Sequence, residues 1–462
     1  MVSENLWNKE MDFNAVGAFC EDYKAFLTAC KTERECVSFM EAELEAKGYR
    51  NLNEVIRRGE SLQAGDKVYA DIMKKALLMF QIGTRPLSDG MRILGAHIDS
   101  PRLDLKQRPL YEEGELAMLD THYYGGIKKY QWVALPLALH GVVAKKDGSV
   151  LNISIGDKPE DPVFGVSDLL PHLASKQMEK KAREAVEGEN LNVLVGSRPL
   201  EGEKKEAVKA AVLQILKEQY DIEDEDFISA EIEVVPAGSA RDYGLDRSMI
   251  MSYGQDDRVC AYTSFRAMIE MEAPEYTSVC LLTDKEEIGS VGATGMHSRF
   301  FEDTVAEVMN ACGCYSEIAL RRVLKNTKVL SSDVSAAFDP NYPEVMEKNN
   351  CAYLGRGPVF NKYTGSRGKS GSNDANAEYI AWLRNILDNG GIGYQTSELG
   401  KVDAGGGGTI AYILANLGME VIDCGVAVLN MHAPFEITSK IDVYETYRAY
   451  GVFLRSRDAC RR

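Results

Sequence analysis

Four short runs of apolar residues predict the buried strands of a sheet. They lie at residues 92–98, 278–283, 328–331 and 421–430, and helical patterns separate them along the chain. Strands that are covered on both faces have this continuous apolar character rather than an alternating one. We therefore predict an α/β fold in which helices cover both faces of a mixed sheet.

The residues before the first of these runs have a mostly helical pattern. One amphipathic stretch opens at Phe13, and another contains Ser38 and continues until Gly48 stops it. We therefore predict that the first 80 residues are mostly helical.

The pattern changes between about residues 109 and 249. Residues 150–155 alternate between apolar and polar positions and follow a turn, which favours antiparallel strands. Residues 204–220 carry their apolar side chains on one face and predict a helix. We interpret residues 109–249 as a largely β domain that is inserted into an α/β domain of residues 1–108 and 250–462.

Charge and composition exclude whole classes of partner. The 462 residues include 53 Lys and Arg against 70 Asp and Glu, which gives a formal net charge of −17. Such a surface repels phosphate backbones and anionic lipids, and no apolar run approaches the ~20 residues of a bilayer span. The first residues lack the basic head and apolar stretch of a secretory signal. We expect a cytoplasmic enzyme with no nucleic-acid or membrane partner.

The ten cysteines are scattered, and several stand beside apolar residues or glycine. Reduced, buried thiols of cytoplasmic proteins have this distribution. Cys312 and Cys314 form a close pair and could be half of a metal site, but no second pair at ligand spacing accompanies them. We therefore expect ordinary thiols at both positions.

Acids or imidazoles lie at or just beyond the end of each of the four apolar runs. These residues are His97 and Asp99 at the first run, Glu286 and Glu287 at the second, Asp333 at the third and His432 at the fourth. In open α/β sheets, ligands bind at the edge formed by the carboxyl ends of the strands. The sequence therefore predicts that these side chains meet at one edge.

The residue types in this set suit two metal ions. Two hydrolytic metal ions about 3.5–4 Å apart share one carboxylate, and each takes a further imidazole and carboxylate. The strand ends offer the imidazoles and two of the carboxylates. The pair Asp256–Asp257, just before a predicted helix that starts at Arg258, offers the bridging one.

Two further carboxylates have predicted supporting roles. On an extended backbone, the side chain of Asp99 would point the same way as that of His97. Asp99 would then accept a hydrogen bond from the ring nitrogen that binds no metal. The alternative is an ordinary core histidine beside an aspartate in a turn. In the pair Glu286–Glu287, one carboxylate would bind metal while the other takes a proton from water. Such a pair is usually surface, but this one follows an apolar strand.

Five motifs in this order resemble those of the M18 family of zinc aminopeptidases, the aspartyl aminopeptidase-like group, and more distantly the M42 glutamyl aminopeptidases. They are Gly95 to Pro101, Asp256–Asp257, Asp284 to Ser290, Ser332–Asp333 with Asp339 to Pro343, and Met431–His432. The similarity spans nearly the whole chain.

This resemblance implies a dinuclear, zinc-dependent enzyme that removes N-terminal amino acids from peptides, with cobalt or manganese as alternative metals. A metal-activated water would attack the first peptide bond. The implied ligands are Asp256 as the bridge, His97 and Asp333 on one metal, and Glu287 and His432 on the other. Glu286 is the implied general base, and Asp99 orients His97.

The resemblance also implies a homo-oligomer, with a dimer as the building block and a dodecamer as a larger assembly. The inserted domain would be the dimerisation domain. His172 lies in a segment that resembles the one whose histidine reaches a neighbouring subunit's active site; an ordinary surface histidine is the alternative. The four glycines after Ala404 lie where the family has a substrate-proximal loop, although a flexible loop has the same composition.

The chain departs from members that are specific for acidic residues. Val334 to Phe338 stand where those members have histidines, and Lys362, Arg367 and Lys369 include no unambiguous counterpart of their basic contact. A neutral or broad preference is therefore at least as well supported. A related metal-dependent deacylase and a non-catalytic self-assembling binding protein stay open as alternatives, although the complete ligand set favours an enzyme.

Overall fold

The computed structural model describes residues 4–457, which divide into two compact units. The first unit consists of the chain up to Asp99, residues 241–431 and the chain from Glu436 onward. The second unit consists of residues 100–240 and the loop residues 432–435. The predicted boundaries at 108/109 and 249/250 thus differ from those observed, because a long strand of the second unit already begins at Arg102.

A nine-stranded mixed sheet forms the centre of the first unit. With all strands numbered along the chain, its spatial order is β1 (Arg50–Asn51), β2 (Lys67–Ile72), β3 (Ala76–Gln81), β13 (Thr277–Thr283), β4 (Met91–His97), β14 (Lys328–Ser331), β18 (Glu420–Gly425), β16 (Val359–Asn361) and β17 (Gln395–Thr396). The four central strands β13, β4, β14 and β18 run parallel to one another. Their carboxyl ends therefore lie at one edge of the sheet.

Helices cover both faces of this sheet, as predicted. The helices of the first unit are α1 (Phe13–Ala29), α2 (Glu33–Ala46), α3 (Leu52–Arg57), α7 (Gln255–Ile269), α8 (Phe300–Ala311), α9 (Glu317–Asn326), α10 (Ala377–Asn389), α11 (Ala411–Asn416) and α12 (Lys440–Leu454). Ile93, Val279 and Val329 share one core cluster with residues of α8, α9 and α11. Helices α7 and α12, which contribute nothing to that cluster, also pack against β4. Successive strand residues point to opposite faces, so both faces are buried.

The prediction of mostly helix up to residue 80 was wrong for β2 and β3. Every residue of β3 is buried, and the strand pairs with β13 and β2. A short, fully buried strand has no polar face, so periodicity does not separate it from a buried helix.

The fourth apolar run, 421–430, was predicted as one strand but forms two strands in two sheets. Strand β18 ends at Gly425, and β19 (Ala427–Leu429) joins a five-stranded sheet. That sheet has the order β11 (Arg241–Tyr243), β12 (Met249–Ser252), β20 (Glu436–Ser439), β19 and β15 (Ser335–Ala336). A Cβ atom on Gly425 would lie 1.8 Å from the carbonyl oxygen of Asp333, so only glycine permits the chain to cross here.

A six-stranded antiparallel sheet forms the second unit. Its order is β8 (Val150–Ile155), β7 (Leu137–Ala144), β10 (Ala230–Pro236), β5 (Arg102–Glu113), β6 (Leu116–Tyr124) and β9 (Val193–Gly196), accompanied by α4 (Ser175–Met178), α5 (Ala182–Ala185) and α6 (Ala207–Tyr220). The predicted antiparallel strand 150–155 is confirmed. The predicted helix 204–220 begins three residues late, because the Glu203 carboxylate accepts the N–H groups of Lys204 and Lys205 in a turn. No helix among residues 4–457 is long and apolar enough to cross a membrane.

Candidate metal centre

His97 and Asp333 meet because they follow neighbouring parallel strands. His97 is the last residue of β4, and Asp333 comes two residues after the end of β14. The imidazole is 2% exposed, and its Nε2 atom lies 4.0 Å from Oδ1 of Asp333. The carboxyl edge of the sheet thus gathers one imidazole and one carboxylate, as the strand ends predicted.

Asp256 joins these two residues from the start of helix α7. Asp256 and Asp257 do not have helical dihedral angles, so the regular part of the helix begins after them. Oδ1 of Asp256 lies 3.2 Å from Nε2 of His97. Ligand atoms of His97, Asp256 and Asp333 all lie within 4.8 Å of one another. This spacing is compatible with a single cation among them.

Asp256 also belongs to a second group, with Glu287 and His432. Their ligand atoms again lie within 4.8 Å of one another. His432 lies in the loop between β19 and β20 and has a φ of +63°, a conformation that costs an ordinary residue on the order of 1 kcal/mol. Its Nδ1 lies 2.9 Å from the carbonyl oxygen of Gly126. Because a carbonyl can only accept a hydrogen bond, Nδ1 carries the proton of the neutral imidazole, and Nε2 is the nitrogen suited to bind a metal.

Asp99 makes contacts that its position in the sequence does not show. Strand β4 ends at His97, so the extended backbone that was predicted to carry both side chains does not reach Asp99. Its Oδ1 nevertheless lies 3.2 Å from Nδ1 of His97. In addition, Oδ1 accepts the N–H of Glu286 at 3.1 Å, and Oδ2 accepts the N–H of Glu287 at 3.2 Å. One fully buried carboxylate therefore holds the imidazole and the glutamate pair together.

The electrostatics of the cluster fit a divalent cation. Burial raises the pKa of Asp333 well above its usual value, and the carboxylates of Asp257 and Glu286 raise it further. Burial alone would lower the pKa of His97, but its contacts with Asp256 and Asp99 raise it well above the usual value. The cluster therefore has an excess of negative charge that a divalent cation would balance. Imidazole nitrogen and carboxylate oxygen are ligands that zinc accepts.

Glu436 is a contact of the site that sequence reasoning missed. It is 1% exposed, and its Oε2 accepts the N–H of Asp256 at 2.9 Å. The preceding Gln255 is held as well, since its Nε2 donates to the carbonyl oxygen of Glu436 at 2.7 Å and its Oε1 accepts from Thr438 at 2.6 Å. Nothing local links strand β20 to the start of α7, so no sequence signal pointed to these contacts.

Part of the glycine-rich segment after Ala404 is closely packed. A Cβ atom on Gly405 would lie 1.8 Å from the carbonyl oxygen of Leu399, and one on Gly406 would lie 2.4 Å from that of Gly365. Next to them, Thr409 donates to the buried carboxylate of Asp423 at 2.7 Å. Close approach of backbone segments therefore accounts for two of the four glycines.

The remaining candidates belong to neither group of ligand atoms. His172 is exposed in a short 3-10 turn, Pro171–Leu173, of the second unit. Cys312 is half-buried and Cys314 exposed, and both are free thiols. Within residues 4–457, neither cysteine belongs to a group of side chains that could hold a metal ion.

Known proteins match the chain over nearly its whole length. The family model described as aminopeptidase I zinc metalloprotease (M18) matches residues 26–454. A probable M18 family aminopeptidase 1 of Clostridium acetobutylicum is 63% identical over 456 residues, which are 98% of this chain and 98% of that protein. A crystal structure of an M18 family aminopeptidase from Thermotoga maritima has a TM-score of 0.94 at 46% identity, covering 99% of this chain and 100% of that chain. The S. cerevisiae mApe1 dodecamer shares the fold, with a TM-score of 0.74 at 20% identity over 95% of this chain and 97% of that one.

Proposed function

Because this chain belongs to the M18 family of aminopeptidase I zinc metalloproteases, we propose that it removes single amino acids from the free N-terminus of peptides. Proteins that it matches over their full length are aminopeptidases by name. The chain is therefore a metal-dependent aminopeptidase of this family, and peptides with a free N-terminus are its proposed substrates.

The sharing of Asp256 between two groups of ligand atoms carries the proposal of a dinuclear centre. His97, Asp256 and Asp333 would hold one zinc ion, and Asp256, Glu287 and His432 the other. Bound zinc would act as a Lewis acid towards the scissile carbonyl and would lower the pKa of water. Cobalt and manganese accept the same ligands and are the alternative metals.

Glu286 is the proposed general base. Its Oε2 lies 3.9 Å from Nε2 of His97, so its carboxylate reaches the cluster without belonging to either group of ligands. A carboxylate in this place takes a proton from the attacking water and returns it to the leaving amine. Asp99 supports both steps, because it fixes the imidazole of His97 and the backbone of the glutamate pair.

The proposed working form is a homo-oligomer built from dimers. Leu169, Leu170 and Leu173 surround His172 and are 46%, 48% and 68% exposed. Three exposed leucines around one histidine are a surface suited to contact with another protein. We assign that contact to a second copy of the chain, whose active site His172 would enter; a dodecamer is known for one protein of this fold.

A neutral or broad preference for the N-terminal residue is proposed. Of the three candidate contacts for an acidic side chain, Lys362 and Lys369 are paired with Asp374, at 2.8 and 3.0 Å. Lys369 also lies 3.7 Å above the ring of Tyr363. An acidic substrate side chain would have to displace these partners.

A panel of fluorogenic aminoacyl substrates tests the reaction class and the preference together. Zinc-loaded enzyme should cleave substrates with a free α-amine and should lose activity when a chelator removes the metal. Matched substrates with an acetylated α-amine should resist cleavage. The panel should include acidic and neutral residues, and neutral ones should be cleaved at least as fast.

Two results would reject the proposal. Release of acetate from the acetylated substrates, with no cleavage of the free-amine substrates, would support a metal-dependent deacylase instead. No cleavage of any substrate by protein shown to bind zinc would support a non-catalytic assembly protein.

We also propose a cytoplasmic location. The nine cysteines within residues 4–457 are free thiols, and most of them are buried. Reduced thiols persist in the cytoplasm, whereas secreted proteins tend to oxidise them.

A further inference from the structure

The two glutamates of the site lie on a loop with a strained backbone. Residues 284–295, here called the glutamate loop, follow strand β13 and carry Glu286 and Glu287. Lys285 has a φ of +64°, and Ser290 has a φ of +57°. Such conformations are unfavourable for residues other than glycine and persist only where surrounding contacts hold them.

Three side chains close the neck of the glutamate loop. Thr294 donates its hydroxyl proton to Oδ2 of Asp284 at 2.5 Å. Nζ of Lys285 donates to the same Oδ2 at 2.8 Å and to Oγ1 of Thr294 at 2.9 Å. Each of the three groups thus contacts the other two, in a closed triangle.

Backbone contacts reinforce this triangle. The N–H of Lys285 donates to Oδ1 of Asp284 at 2.8 Å, and the N–H of Asp284 donates to the carbonyl oxygen of Thr294 at 3.3 Å. The N–H of Ser290 donates to the carbonyl oxygen of Lys285 at 2.7 Å. The residue immediately before the glutamate pair is therefore held through its side chain, its N–H and its carbonyl.

The triangle differs from an ordinary surface ion pair. Solvated pairs contribute little, because water competes for both charges. Here Asp284 is 1% exposed and Thr294 is 3% exposed, and only the side chain of Lys285 reaches solvent, at 28%. A buried carboxylate that accepts three donors is a rigid anchor.

We propose that Asp284, Lys285 and Thr294 form a clamp that positions Glu286 and Glu287. This inference rests on the proposed function, in which one glutamate moves a proton while its neighbour binds metal. Adjacent side chains can serve different partners only if the backbone between them is fixed. Asp99 fixes this backbone by accepting the N–H groups of both glutamates, and the clamp fixes it through Lys285, the residue immediately before them. The three clamp residues are positioning residues and touch no substrate.

Two pairs of variants separate the clamp from general stability. Thr294→Val keeps the shape of the side chain but removes its hydroxyl, and Thr294→Ser restores the hydroxyl. Lys285→Gly removes the ammonium group and relieves the strain of the positive φ, so the protein should fold at least as well. Ser290→Gly relieves the same kind of strain and leaves the clamp intact.

Zinc affinity of the metal-free protein, measured by calorimetry, is the first readout. Loss of groups that orient ligands typically weakens metal binding by about 10–100-fold. We expect a loss of this size for Thr294→Val and Lys285→Gly, and affinities within about threefold of the parent for Thr294→Ser and Ser290→Gly. In peptide hydrolysis, kcat should fall by about 10–100-fold in the first two variants while KM stays within about threefold, since misplacing a reacting group by about 1 Å costs up to 10²-fold.

If Lys285→Gly has the zinc affinity and the kcat of the parent, the clamp is overturned. This result decides the matter even when Thr294→Val does not fold. An equal loss in Ser290→Gly would overturn it as well, because backbone freedom alone would then explain the effect. If the variants differ in zinc affinity as expected but no variant and no parent protein cleaves a peptide, the clamp stands and the proposed function fails.

Discussion

At the scale of single residues, the site depends on buried carboxylates with different partners. Asp99 accepts from two backbone N–H groups and contacts an imidazole, whereas Glu436 holds the backbone of Asp256. Asp256 itself offers its oxygens to both groups of ligands. A carboxylate in this site thus either holds another group in place or offers ligand atoms for a metal. Its surroundings decide between these roles, and composition alone does not reveal them.

Replacing Glu286 with glutamine tests its assignment as the base. Glu286→Gln keeps the size of the side chain but cannot take a proton, so kcat should fall by about 10²–10⁴-fold while zinc affinity is kept. The exposed Glu307→Gln on helix α8 is the matched control and should behave as the parent. Turnover of Glu286→Gln close to that of the parent would remove Glu286 from the mechanism.

The buried Asp423 should make stability depend on pH. Burial raises the pKa of Asp423 to about 6, although its contact with Thr409 lowers it. The unfolded chain loses this proton at about pH 3.9, so a rise in pH from about 4 to about 6 favours the unfolded state. The contribution of Asp423 to the free energy of unfolding therefore falls across this window and stays low above it.

Asp423→Asn removes this ionisation. Its stability relative to the parent should rise by about 2–3 kcal/mol between pH 4 and pH 8, since the pKa of Asp423 is raised by about two units and each unit corresponds to about 1.4 kcal/mol. Urea unfolding at pH 4 and pH 8 measures both values. A difference between variant and parent that is the same at both pH values would contradict the assignment.

At the scale of elements, the site depends on where strands end and on how the chain leaves them. The parallel order of β4, β14 and β13 explains why His97, Asp333 and the glutamate loop share one edge of the sheet. The bend at Gly425 is equally important, because it passes the chain from β18 to β19 and so delivers His432 from a different sheet.

Gly425→Ala tests that bend. The added Cβ would lie 1.8 Å from the carbonyl oxygen of Asp333, so the backbone must move at one of these two residues. Asp333 belongs to the first group of ligands, and its carboxylate would be displaced as well. We expect a loss of about 1–3 kcal/mol in the free energy of unfolding, as for other overpacked sites, together with weaker zinc binding. Urea unfolding and calorimetry measure the two effects.

Gly17→Ala in helix α1 is the control for the same chemical change. Apart from the neighbouring residues and the backbone of the helix itself, no atom lies within 4 Å of the added Cβ, and alanine favours a helix over glycine by about 1 kcal/mol. This variant should be at least as stable as the parent and should bind zinc equally well. A Gly425→Ala protein that matched it in both respects would show that the bend tolerates a side chain.

At the scale of the whole molecule, the proposed exchange of His172 between subunits can be tested by complementation. His172→Ala and Glu286→Gln chains should each be impaired when expressed alone. When they are expressed together, half of random dimers are mixed, and each mixed dimer has one site with both groups intact. Specific activity of about a quarter of the parent value is therefore expected.

The control is the same mixture with both substitutions in one chain and none in the other. If His172 acts within its own chain, the two single variants should show no gain on co-expression. Mass photometry of both mixtures would verify that the oligomers have the same size.

The parts of the fold that the sequence predicted are those with a local signature. Strands β4, β13 and β14 are buried on both faces, so an unbroken apolar run marks each of them within one or two residues of its bounds. Strand β3 is buried as completely, but it follows a helical region, and its local pattern was wrongly interpreted as helix. The prediction of a single strand through Gly425 was wrong for a related reason. Apolar residues continue through this position, although the chain passes there from one sheet to another.

The amino-acid sequence was enough to identify the residue types at the strand ends and, through the order expected of parallel strands, the edge where they meet. It did not determine that Glu436 holds Asp256, that Asp99 accepts from the glutamate loop, or that Thr294 closes its neck. Apolar periodicity is a property of neighbouring residues, and burial imposes it on every strand. A hydrogen bond between residues far apart in the chain depends on geometry that only the packed structure supplies.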